Sequence, residues 1–172
     1  MSITISTDSY SNVYDLAEQL ECSVPTKLAF LPRNFETANS KTELLQEDCV
    51  RTLRKRLRSA GIDETPFEGL DKSFNPIAER SYGESVALFI TASLLVQNPT
   101  MVELAMNVVG NYLSDRFKTC DKNSKSLVKV ELVVEKKPKA EYKRIRIEAP
   151  AHSLEGIASV LKEALRNESE NS

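Results

Sequence analysis

Arg51, Arg54, Lys55 and Arg58 follow one another at offsets of three, four and seven residues, which puts four cations on one side of any helix that carries them. Such a row can hold an anion or a phosphate backbone, because guanidinium groups grip phosphate oxygens through charged hydrogen bonds. No aromatic residue is interleaved among the four, so stacking on single-stranded bases has no platform there. The overall balance argues for a plainer outcome. With 23 Lys plus Arg against 25 Asp plus Glu and a net charge of -2, the chain has no global pull toward nucleic acid or anionic lipid, and a solvated face paired to acids is the ordinary fate of such a row.

Other reactive residue types are sparse. His152 is the only histidine, so any His-carboxylate or Cys-His pair has to use it, and its place beside Pro150 ahead of a helix equally suits a surface or capping role. Glu64, Glu68, Asp71 and Glu79 collect in one connection without the spacing of a metal loop. Cys22, Cys49 and Cys120 are odd in number and widely separated, which indicates neither a disulfide framework nor a zinc site and suits a reducing cytoplasm. The chain carries no P-loop, GxGxxG, GxSxG or HExxH, and its five glycines leave little material for a phosphate-cradling loop. No metal, no cofactor and no catalytic residue is nominated.

A further charged set alternates along two segments. Lys129, Glu131 and Glu135 on one, and Arg144, Arg146 and Glu148 on the other, place opposite signs across a hairpin, with Lys136, Lys137, Lys139 and Lys143 around its turn. This reads as a solvated ladder, and its lysines as protection of an exposed sheet edge.

The elements that must position these residues are legible to different degrees. The alternation of Val128, Val130, Leu132 and Val134, repeated by Ile145 and Ile147, predicts an antiparallel β-hairpin over 127–149. Ser40 and Glu43 in capping-box spacing, a stripe of Leu45, Cys49, Val50, Leu53 and Leu57, and Gly61 as a stop predict a helix over 41–60. Residues 2–6, a helix from Val13 to Leu20 and "TKLAFLP" suggest a βαβ opening, and Ser153 followed by Leu154, Ile157, Leu161 and Leu165 a closing helix over 153–167.

The segment "GESVALFITASLLVQNPTMVELAMNVVGNYLSDRFK", residues 83–118, carries one charge between Glu84 and Asp115. Its longest apolar run, Val86 to Val96, falls short of the roughly 17 residues that a membrane span needs. Two helices, 84–97 and 100–117, joined at Pro99, are expected instead. The expected fold is α+β: an N-terminal βαβ-α segment, a helical hairpin, a β-hairpin and a C-terminal helix, in one domain over 1–168 with halves meeting near residue 80 and a disordered tail at 169–172. The polar N-terminus lacks the regions of an export signal.

In element order and apolar spacing, this helical segment followed by "KVELVVEKK", "YKRIRIEA" and "SLEGIASVLKEAL" resembles the effector-associated constant component domains of bacterial conflict and signalling systems. The resemblance covers residues 83–166 and implies a noncatalytic adaptor, with no active-site residues to carry over. Its lysine-rich "KKPKAE" turn departs from the tight glycine turn of that pattern.

Three functional expectations follow. The first is an adaptor or regulatory module that binds a protein partner, or a second copy of itself, through an apolar surface formed by Val86, Phe89, Val102, Met106, Val109 and Tyr112. The second is a nucleic-acid-binding accessory protein using Arg51, Arg54, Lys55 and Arg58. The third is an enzyme of unrecognised type using His152 or the acids of 63–79.

Overall fold

A computed structural model describes residues 3–64, 75–76, 85–119, 121–123 and 125–170. The apolar alternation of the last third becomes the centre of the molecule. Strands β6 (Leu127–Lys137) and β7 (Glu141–Pro150) form the expected antiparallel hairpin, with Val130 opposite Ile147 and Leu132 opposite Ile145. The expected edge is elsewhere, because further strands lie on both sides of the hairpin. β1 (Thr4–Ser9) pairs antiparallel with β7, β5 (Ser85–Ile90) pairs parallel with β6, and β2 (Leu28–Phe30) pairs antiparallel with β5. The five-stranded order is β1-β7-β6-β5-β2. Strands from before and after residue 80 thus share one sheet. β1 and β2 stand at its opposite edges, so the opening of the chain is not a βαβ unit.

Residues 85–90 are a strand rather than the front of a helix. After Ser85 the strand, "VALFI", is continuously apolar because it is covered on both faces: Val86, Leu88 and Ile90 enter one core, Phe89 the other. A strand covered on both sides loses its period of two, and an apolar run of that kind looks the same as a buried helical segment. The chain then makes a short helix α3 (Ala92–Gln97), capped by the Thr91 side chain, and the long helix α4 (Pro99–Phe117). The cap of α4 is Asn98, whose side chain accepts from the Met101 N–H at 3.1 Å; Pro99 occupies the first turn, where no N–H is required. The α3–α4 connection carries the chain from β5 to its parallel neighbour β6.

The expected helix over 41–60 is broken. Residues Lys41–Glu43 make a 3₁₀ turn, β3 (Leu45–Gln46) pairs with β4 (Asn75–Pro76), and only Cys49–Ser59 form helix α2. Leu44 belongs to the core on one side of the sheet, and Leu53 and Leu57 to the core on the other. One straight helix cannot serve both sides, so the chain turns between them.

Helices α2, α4 and α5 (Ile157–Glu170) cover one face of the sheet. α5 begins four residues later than expected and continues to Glu170, through the first residues of the supposed tail. Ser153 does not cap it; it lies in a 3₁₀ turn, Ala151–Ser153. Helix α1 (Val13–Gln19) and the segment after β2 cover part of the other face, over Ala29, Phe89, Val133 and Tyr142. Asn12 caps α1 by accepting from Tyr14 N and Asp15 N.

Candidate cationic site on helix α2

Helix α2 is held at both its buried face and its end. Cys49, Val50, Leu53 and Leu57 fill the core, which turns the remaining positions outward. At the C-terminus Gly61 adopts a φ of 77°, its N–H donates to Arg58 O at 3.0 Å, and Ile62 N donates to Leu57 O at 3.0 Å. This is a Schellman end with the buried Ile62 as its apolar closure, and it confirms Gly61 as the stop. Arg56 and Arg58 in the last turn complement the negative end of the helix dipole.

The four predicted cations do not all remain together. Arg54 is half-buried, and its Nε donates to Glu64 Oε1 at 3.2 Å. Burial raises the Glu64 carboxyl above its ordinary pKa, against the opposing pull of Arg54. Arg54 is therefore committed to the fold. Arg51, Lys55 and Arg58 are exposed along the helix crest. A fifth cation, Arg56, escaped the three-four-seven pattern: its guanidinium lies 5.1 Å from the centre of the Tyr112 ring of α4. The run "RTLRKRLRS" is the signal that would have found it. The other exposed α2 residues are Thr52 and Ser59, followed by Ala60, so the outward surface has cations and small side chains but no apolar anchor.

The apolar residues expected to dock a partner lie in the core. Val86, Phe89, Val102, Met106, Val109 and Tyr112 are at most 6% exposed, because three helices and a five-stranded sheet bury more apolar surface than the expected single hairpin could. Among the described residues, large apolar side chains remain exposed at Ile5 and Leu127 and, on the adjoining helices α3 and α4, at Val96 (82%) and Leu104 (45%). A cleft of about 250 Å³ has Leu95, Pro99, Val102 and Leu165 in its lining, and Arg166 of α5 meets Glu103 of α4 at 2.9 Å beside it.

The remaining chemistry is largely self-satisfied. His152 Nδ1 lies 3.0 Å from the neighbouring Ser153 Oγ, and the described residues add no carboxylate to orient the ring. Of the acids in the central connection, Glu64 is the partner of Arg54, while Glu68, Asp71 and Glu79 lie outside the described residues. No group of three metal-ligating side chains occurs among the described residues.

The hairpin charges pair as a ladder, Lys129 with Glu148 at 3.6 Å and Arg146 with Glu131 at 3.3 Å. Arg144 bridges Asp8 and Glu36, and this hydrogen-bonded pairing holds the Asp8 carboxyl below its usual pKa. Lys136 and Lys143 both meet Glu168 of α5, and Lys136 also donates to its carbonyl.

Glu135 departs from the ladder: it is 3% exposed and accepts from Ala92 N at 2.9 Å, Lys139 N at 3.0 Å and Tyr142 Oη at 3.4 Å. It joins the start of α3 to the hairpin turn, where Lys139 takes a φ of 57°. Burial first, and then the charge of Glu135, push the Tyr14 and Tyr142 hydroxyls above their ordinary pKa.

Comparisons with family models, with curated proteins and with solved structures each find no match. None of these comparisons bears on the resemblance of residues 83–166 to effector-associated domains, and the start of the helical segment that carries it, residues 85–90, is strand β5. Among the described residues, no helix is long and apolar enough to cross a membrane.

Proposed function

We propose that this protein is a noncatalytic binding module that engages the phosphate backbone of a nucleic acid through helix α2. The observation that carries this reading is the outward face of α2, where Arg51, Lys55 and Arg58 stand exposed with no apolar residue among them. A protein-protein interface concentrates its affinity in buried aromatic or aliphatic anchors, whereas backbone binding needs cations alone. The prominence of arginine strengthens the choice, since its planar donors match phosphate oxygens. Binding should be insensitive to sequence and weaken steeply with salt.

The test is fluorescence anisotropy with a labelled DNA duplex of about two helical turns. Lys55→Glu combined with Arg58→Glu should weaken binding at least about tenfold while leaving the thermal melt in place, since each reversal turns an attraction to phosphate into a repulsion. Unchanged affinity in that variant overturns the proposal.

A second reading, a protein adaptor, is favoured by Val96 and Leu104, which remain exposed on α3 and α4, the helices whose Leu95 and Val102 line the cleft. It would replace the docking surface expected from Val86, Phe89, Val102, Met106, Val109 and Tyr112, all of them buried. Val96→Asp should then abolish a partner complex that survives high salt. Persistence of such a complex in that variant removes the second reading.

A further inference from the structure

Helices α4 and α5 touch at one place and leave room between them at another. At Gly110 the contact is so close that a Cβ there would lie 2.6 Å from Ala158. About two turns away, toward the start of α4 and the end of α5, the same helices form two walls of the cleft of about 250 Å³. Pro99, Val102 and Glu103 come from α4 at offsets of three and four residues, and Lys162, Leu165 and Arg166 come from α5 at the same offsets, so each helix presents one face to the cleft. Leu95 of α3 completes the lining. Packed helices cross at an angle and part on either side of their contact, which makes this space a product of the fold's own packing.

The lining divides by chemistry. Leu95, Pro99, Val102 and Leu165 are aliphatic, and the seven lining residues include no aromatic ring, hydroxyl or side-chain amide. Of the three charged residues, Arg166 and Glu103 neutralise each other at 2.9 Å. Lys162 is half-buried and enters no ion pair or hydrogen bond among the described residues. An ammonium that has lost part of its water without gaining a partner calls for an anion. The cleft therefore offers an aliphatic surface and one unspent positive charge.

Size narrows the occupant. At roughly 30 Å³ for a water-sized group, 250 Å³ takes about eight of them, less than the roughly 300 Å³ or more of sites for larger ligands. A stable protein interface covers roughly 800 Å² on each partner, far beyond a cleft of this size. We propose that the cleft binds a free aliphatic monocarboxylate of about six to eight carbons, its chain against Leu95, Val102 and Leu165 and its carboxylate accepting from the Lys162 ammonium. None of the α2 cations lines it, so this site stands or falls apart from the phosphate-binding face.

The test is methyl NMR of the full chain titrated with sodium hexanoate, octanoate and dodecanoate and with hexanol, the uncharged match of hexanoate, at constant ionic strength. The methyl signals of Leu95, Val102 and Leu165 should move in octanoate with a Kd of about 1 mM. Each added methylene should tighten binding about two- to fourfold up to about eight carbons, and dodecanoate should add little more. Hexanol should bind about threefold more weakly than hexanoate. Lys162→Glu should weaken octanoate about tenfold and leave hexanol unchanged, with the thermal melt recorded alongside. Lys162→Gln, which keeps an uncharged stem and should weaken octanoate about threefold, serves if the reversal lowers the melt.

Hexanol bound as tightly as hexanoate, or octanoate bound equally well by both Lys162 variants, overturns the carboxylate. Affinity that climbs undiminished to dodecanoate overturns an occupant limited by the size of the cleft. Absence of any shift at Leu95, Val102 and Leu165 overturns the site itself, and leaves the reading of α2 untouched.

Discussion

Helices α2 and α4 lie against each other on the same face of one sheet, yet their sequences put opposite demands on the surroundings. α4 is apolar around most of its circumference and buries Val102, Ala105, Met106, Val109, Gly110, Tyr112 and Leu113 among α2, α5 and the sheet. α2 buries one narrow stripe and turns five cations away from it. The contrast teaches that apolar excess in a sequence marks the most central helix before it marks a docking surface. The cationic surface belongs to α2, whose buried stripe is narrower than that of α4.

The sharpest way to break this contrast is a charge in the centre of α4. Met106 is fully buried, so Met106→Asp should cost more than about 4 kcal/mol and abolish cooperative unfolding in urea. A folded Met106→Asp protein that has lost only association would restore α4 as a docking face.

Gly110 tests the packing of α4 more finely. A Cβ added there would lie 2.6 Å from the Cα of Ala158, backbone that can yield only if α5 backs away. Gly110→Ala should cost about 1–3 kcal/mol through overpacking. An unchanged melt would show that the two helices separate freely. Gly61, at the end of α2, has open space around it but a φ of 77°, so Gly61→Ala should cost about 1 kcal/mol through backbone conformation alone. Equal losses at Gly110 and Gly61 would remove the distinction between a crowded helix and a merely terminated one.

Glu64 gives the smallest effect and sets a pH dependence. Its folded pKa is raised by burial, so the folded state takes up this proton more readily than the unfolded chain. The contribution favours folding in acid and is lost as pH rises through the raised folded value. Glu64→Gln should therefore change stability by less than about 1 kcal/mol at neutral pH and reduce the acid-side advantage. A large neutral-pH loss would mean that the Arg54–Glu64 attraction outweighs the cost of burial.

The sequence disclosed most where one side of an element faces water. The hairpin over 127–150 was legible through the alternation of Val128, Val130, Leu132 and Val134, and the end of α2 through Gly61. Residues 85–90 hid their strand because both faces are covered, and Leu44 hid the break before α2 because its partners lie across the sheet from those of Leu53. The candidate site was legible in part. Spacing found Arg51, Lys55 and Arg58, included Arg54 without showing its buried partner Glu64, and missed Arg56, whose direction is fixed by a ring 56 residues away in the chain. Long-range partners leave no periodic trace.

The most direct measurement is the salt dependence of wild-type binding to a nucleic-acid duplex. The logarithm of the association constant should fall linearly with the logarithm of salt concentration, with a slope of about −2.7, at about 0.9 for each of the three exposed α2 cations. A slope near zero, or no binding even at low salt, would contradict the assignment of α2 as the functional surface.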